Sequence, residues 1–176
     1  GSVTEHWAQF AVAGPRAREL LGRITDADLS NGALPFMGCT PATICGVAGR
    51  VFRISFSGEL GYEVAVPARH GVAVFDGLLG EARALDGGPY GIEALSVLRI
   101  EKGFITHAEI HGRTTAFDIG MERMVAAKDC VGRAASRRPG LLDEGREQLV
   151  GLVPLDKGDE LSAGAHLYAP GDAATR

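Results

Sequence analysis

No apolar run in this sequence approaches the roughly 18 residues needed to cross a membrane as a helix, so a membrane partner is not expected. The opening residues Gly1-Ser2-Val3-Thr4 lack the basic and apolar regions of a secretory signal. Gly1-Ser2, with no initiating methionine, predicts an excised segment of something longer. Positive charge is in the minority: 18 Lys and Arg stand against 22 Asp and Glu, a net charge of −4 with no basic stripe. Such a chain is not expected to bind nucleic acid. The cysteines Cys39, Cys45 and Cys130 are odd in number and fit neither a disulfide framework nor a C-x-x-C metal spacing. They predict small buried hydrophobes in a reducing, cytoplasmic setting. His107 and His111 stand at i, i+4, but no third ligand accompanies them and no metal is expected. A phosphate loop, a dinucleotide fingerprint and a nucleophile elbow are all missing.

What remains is the composition of an ordinary globular domain, 176 residues with 45% hydrophobic and 23% charged. A strand at 7–13 runs into Gly14-Pro15 and then a helix whose apolar residues Ala17, Leu20, Leu21 and Ile24 recur at helical spacing. Residues 25–40 have no sustained period and read as a loop. Next, Phe52, Ile54 and Phe56 alternate with polar residues. After a glycine-containing turn, Tyr62, Val64 and Val66 alternate with Gly61, Glu63 and Ala65, which predicts a two-faced hairpin. A second helix over 70–85 is expected to be amphipathic through Val72, Phe75, Leu79 and Ala82. A third, 91–102, is apolar around most of its circumference and is expected to be largely buried. Signals weaken beyond Gly103, leaving a linker near 137–146 and short strands at 148–154 and 165–169. The fold class is α+β, a split β-α-β antiparallel sheet with helices on one face.

Two side chains draw attention on their own chemistry. The alternation puts Glu63 beside Gly61 and Ala65, whose small size leaves room for a flat ligand. A carboxylate offers acceptors suited to the paired N–H groups of an aminopyrimidinone edge. The same position is more commonly that of a solvated acid on the open face of a sheet. Arg99 falls within the apolar surface of the third helix, where a guanidinium can bind a ligand carboxylate or form a structural ion pair, for instance with Glu101. Phe56 can offer a ring for stacking or simply fill a core.

At these residues the sequence becomes familiar. Arg53-Ile54-Ser55-Phe56-Ser57-Gly58-Glu59-Leu60-Gly61-Tyr62-Glu63-Val64 resembles the hairpin of the glycine-cleavage aminomethyltransferase family. Gly91-Ile92 through Leu98-Arg99-Ile100-Glu101-Lys102-Gly103 resembles that family's G-x(7)-R-x-E-x-G helix, in the same order and spacing. Further matches are Val12-Ala13-Gly14-Pro15, Cys130-Val131-Gly132-Arg133 and Gln148-Leu149-Val150-Gly151-Leu152, so the resemblance covers nearly the whole chain. Within the family, Glu59-Leu60-Gly61-Tyr62 and Leu98 to Phe104 look more like the folate domains of sarcosine oxidase large subunits and dimethylglycine dehydrogenases. Ser30-Asn31 and Leu34-Pro35-Phe36-Met37 strengthen the sarcosine oxidase match.

The resemblance implies an aminomethyltransferase-type folate-binding domain over residues 3–128, a linker at 129–147 and the start of a truncated C-terminal β domain at 148–176. It implies tetrahydrofolate as the ligand, with Glu63 holding the pterin and Arg99 near the folate. Phe56 stands in the place of a ring-packing tyrosine, without its hydroxyl, and Tyr62 is carried in the same motif as a candidate contact. The parent is expected to be an oxidoreductase that demethylates sarcosine and passes the one-carbon unit to tetrahydrofolate. Flavin and NAD are then expected elsewhere in a complex with other sarcosine oxidase subunits. The family's carboxylate that assists methylene transfer lies before the matched region, so no catalytic residue is assigned here and the chain alone is expected to be inactive. Three other readings are a stand-alone aminomethyltransferase or dimethylglycine dehydrogenase-like protein, a folate-binding accessory protein, and a non-catalytic interface module. The accessory branch carries K-G-C-x-x-G-Q-E, whereas Lys102-Gly103-Phe104-Ile105 lacks the cysteine.

Overall fold

The computed structural model describes residues 1–162 and 164–168, which fall into two compact units, Gly1–Ala108 and Glu109–Arg176. In the first, strand β1 (Trp7–Ala13) leads through Gly14 into helix α1 (Ala17–Gly22). Strands β2 (Cys39–Ile44), β3 (Val47–Phe52) and β4 (Gly61–Pro67) follow, then helices α2 (Gly71–Ala84) and α3 (Ile92–Lys102). The strands form one four-stranded sheet in the order β1-β4-β3-β2, with every adjacent pair antiparallel. The fold is α+β. No helix among the described residues is long and apolar enough to cross a membrane.

Alternation decides which face of the sheet is covered. Val12 pairs with Tyr62, and Val64 with both Phe10 and Val51. Together with Val66 and Ile44, these residues meet Ala17, Leu20 and Leu21 of α1 and Val74 and Leu78 of α2 in a single core. Val51, Val64, Val66 and Val74 are each fully buried, and each contributes roughly 1.5–3 kcal/mol through area removed from water. Gly49 is required at this face: a Cβ there would lie 2.4 Å from the Ala65 carbonyl oxygen and 2.9 Å from side-chain carbons of Ile44 and Val66.

Several expectations are corrected. Strand β2 and most of β3 occupy a stretch where no strand was anticipated. Cys45 (φ 48°) and Gly46 (φ 78°) join them with both turn residues left-handed, as a two-residue hairpin turn demands. The first arm of the expected hairpin lies earlier than the phenylalanine alternation suggested, because pairing stops at Phe52 and 53–60 is an irregular loop. In α2 the inward face is Gly71, Val74 and Leu78, while Val72 is 79% exposed. Gly71 sets this rotation, since a Cβ there would come within 2.9 Å of the Ala8 Cβ. Helix α3 is not largely buried: Ile92, Val97 and Ile100 are exposed and Arg99 is its one buried residue. The helix is held by its C-terminal end and does not join the sheet's core. All three cysteines are exposed, not buried.

Among its described residues the second unit contains a helix α4 (Val131–Ser136), which lies inside the expected linker, and a 3-10 turn at Glu122–Met124. The strand expected at 148–154 is absent. No hydrophobic residue among the unit's described residues is buried, so an isolated strand has nothing to pair with or cover. Residues 165–168 of the other expected strand are also irregular, and residue 169 lies outside the described residues. The unit's organising contact is polar. Asp118 accepts from Arg146 Nε at 2.7 Å and Nη2 at 2.5 Å, and from the Thr115 backbone N–H at 2.7 Å. The guanidinium, then the Thr115 N–H, hold this carboxyl well below the usual carboxylate range.

Candidate functional site

The loop 53–60 and the C-terminal end of α3 are built against each other. Gly58 adopts φ +86°, and a Cβ on it would fall 2.8 Å from Cβ and Cγ of Lys102. Two turns of chain distant in sequence therefore touch where only a glycine fits. Helix α3 ends in a Schellman arrangement around Gly103 (φ 81°): the Phe104 N–H donates to the Arg99 carbonyl at 2.8 Å and the Gly103 N–H to the Ile100 carbonyl at 2.9 Å. This cap turns Phe104 back onto the loop, where its ring stacks on Phe56 at 6.0 Å between centroids and 12° between planes. Arg99, 9% exposed, donates from Nη1 to the Phe104 carbonyl at 3.2 Å. Phe56 and Arg99 are thus gathered at one joint, with Phe104 as a member that the sequence reading missed.

Glu63 and Tyr62 are adjacent in β4 and separate to opposite faces. Tyr62 is 1% exposed within the core, and its hydroxyl accepts from Arg18 Nε at 2.9 Å. Arg18 also reaches Asn31 Oδ1 at 2.6 Å, and Arg53 reaches the same oxygen at 2.7 Å while its guanidinium lies over the Tyr62 ring. This network pins the Ser30-Asn31 loop beneath the hairpin, which gives the motif a structural purpose. Tyr62 anchors the strand; it does not line an open surface.

Glu63 points to the other face, level with Ala11 of β1 and Phe52 of β3. The room expected beside it is already taken: above Gly61 the loop folds back, so that a Cβ would meet the Ile54 carbonyl oxygen at 2.8 Å, and Ala65 is only 6% exposed. On its other flank stands the edge strand β1. A cleft of about 570 Å³ runs along that edge strand, walled by Phe10, Phe75, Leu78, Leu79 and Leu95 and by the turn 86–91. Its volume is typical of small-molecule sites. Two of its lining residues bear on Glu63, one by contact and one through charge. Gln9 donates a hydrogen bond from Nε2 to Glu63 Oε2. The Tyr90 phenol is pushed up first by burial and then by the Glu63 carboxylate. Neither residue was singled out from sequence, although Gln9 is the one polar residue in the strand Trp-Ala-Gln-Phe-Ala-Val-Ala. His107 and His111 do not share a helix, and no cluster of metal-ligating side chains is present among the described residues.

The profile of the GCVT N-terminal domain family matches residues 1–129. The chain is 49% identical to the sarcosine oxidase subunit alpha of Rhizobium meliloti (strain 1021) over 99% of its length, and 42% identical to that of Corynebacterium sp. (strain P-1), also over 99%. It spans 18% of the length of each of these relatives. It is also 33% identical to an aminomethyltransferase of Streptomyces coelicolor, across 80% of this chain and 42% of that protein.

Proposed function

Because the chain belongs to the GCVT N-terminal domain family, we propose that it forms part of the tetrahydrofolate-binding wall of a sarcosine oxidase-type alpha subunit. Its parent oxidatively demethylates sarcosine and passes the one-carbon unit to folate, in complex with other subunits. The identity of 49% over nearly the whole chain supports this branch over the aminomethyltransferases, at 33%, and the dimethylglycine dehydrogenases, at 29%. Residues 3–128 form the folate-binding part and 129–147 the linker to a further domain that begins at 148. The finer fold reading is a split β-α-β unit; β1 and β3 both run antiparallel to the β4 between them, which supports it.

The carrying observation is that the Glu63 hairpin and the Arg99 helix, far apart in sequence, meet through the Phe56–Phe104 stack and the Gly58–Lys102 contact. The residues fit a pterin in their hydrogen-bonding groups: Glu63 supplies acceptors only, and its partner Gln9 lines an apolar cleft of sufficient size. Bound tetrahydrofolate supplies the amine that takes up the one-carbon unit. Glu63 holds the aminopyrimidinone edge, and Phe56, braced by Phe104, packs against the ligand. Arg99 holds the 99–104 turn that carries Phe104 and contributes positive charge near the folate tail. These residues contribute positioning and exclusion of water, and none acts as an acid or base. Flavin and NAD are held elsewhere in the complex.

Titration of the full-length enzyme with tetrahydrofolate tests the reading. Loss of charge-assisted hydrogen bonds in Glu63→Ala is expected to weaken binding roughly ten- to a hundredfold. Unchanged affinity would remove Glu63 from the site.

A further inference from the structure

We infer that Gln9 is a positioning residue that sets the Glu63 carboxylate for its ligand. The inference rests on the folate reading of Glu63 and adds to it a residue from a different strand. Gln9 and Glu63 share one face of the sheet: Gln9 stands level with Ala65, and Ala11 with Glu63, so the two are diagonal neighbours across β1 and β4. A long side chain spans that diagonal. The amide Nε2 donates to Glu63 Oε2. The amide can face the carboxylate only in this sense, because its carbonyl would meet like partial charge. One carboxylate oxygen is thereby engaged and the torsion of the acid is fixed, while Oε1 has no other hydrogen-bond partner among the described residues. Gln9 also lines the cleft along β1, as does Tyr90, whose phenol is pushed up first by burial and then by the Glu63 carboxylate. The same face carries Arg50, whose guanidinium lies over the Trp7 ring at 5.5 Å. Glu63 therefore meets its ligand already oriented, with Gln9 as the link between cleft and acid.

The test is a double-substitution cycle in the full-length enzyme, read by tetrahydrofolate titration. Gln9→Ala is expected to weaken binding roughly three- to tenfold with an unchanged unfolding midpoint. On a Glu63→Ala background the same change should have no further effect. Gln9→Glu sets two carboxylates side by side, so its affinity should fall at pH 8 and recover towards pH 5.5 as they come to share a proton. A purely structural role would not produce that profile. If Glu63→Ala weakens binding and Gln9→Ala does not, or if the two losses add independently, positioning by Gln9 is refuted and the folate reading stands. If neither substitution changes affinity, both fail together.

Discussion

Replacing Gly58 with alanine tests the joint on which the site depends. At φ +86° an L-residue is strained by about 1–2 kcal/mol, and the smaller entropy of the unfolded alanine chain returns about 0.4–1 kcal/mol. The new methyl would stand 2.8 Å from Lys102 Cβ. That atom is one bond from the helix backbone, so the last turn of α3 must shift and not merely a flexible side-chain tip. Overpacking of this kind costs about 1–3 kcal/mol. The net loss is about 2–3 kcal/mol, which for a unit of this size corresponds to a fall in Tm of roughly 10–20 °C. Gly80→Ala is the matched control. Gly80 lies exposed within α2 with no atom near its would-be Cβ, and in a helix alanine is favoured by about 0.5–1 kcal/mol. The same chemical change is therefore expected to raise Tm by a few degrees at one site and lower it sharply at the other. Scanning calorimetry of the two variants decides the matter. A Gly58→Ala protein as stable as wild type would mean that the loop and α3 do not meet as described.

Acid should loosen the second unit through Asp118. Its folded-state pKa is depressed, so the unfolded chain takes up the proton first. The contribution of the Arg146 pair is present in full above about pH 5 and declines as the pH falls through the ordinary carboxylate range. The gap in urea midpoint between wild type and Asp118→Asn should shrink from pH 5 towards pH 2; a gap independent of pH would contradict the pairing. At Cys45, an exposed residue, partial desolvation of the thiol pushes it up first and the Glu81 carboxylate second. Its alkylation near pH 7.5 should be slower than that of a peptide thiol and should quicken modestly in Glu81→Gln, as measured by timed labelling and mass spectrometry. Labelling at the same rate in both proteins would rule out the Glu81 contribution.

Local rules determined much of the first unit from sequence alone. The β1 strand, the Gly14-Pro15 break, the apolar stripe Ala17, Leu20 and Leu21, and the alternation that sends Tyr62 inward and Glu63 outward all follow from periodicity and turn chemistry, and all are present. The Ile44-Cys45-Gly46-Val47 turn has a local signal too, a glycine between two stretches of alternating residues. Tertiary structure decided what periodicity cannot express. The rotation of α2 was fixed by how closely Gly71 approaches Ala8, a contact between elements about sixty residues apart. The composition of helix α3 predicts burial, but burial is a property of what lies opposite a residue, and nothing in this unit's core covers Ile92, Val97 or Ile100. The space beside Gly61 was lost to a returning loop for the same reason. The sequence could nominate Glu63, Arg99 and Phe56 as residue types suited to a folate. Only the fold could bring Phe56 and Phe104 to one stack and supply Gln9, because hydrogen bonds and ring contacts depend on distances across strands that no spacing along the chain encodes.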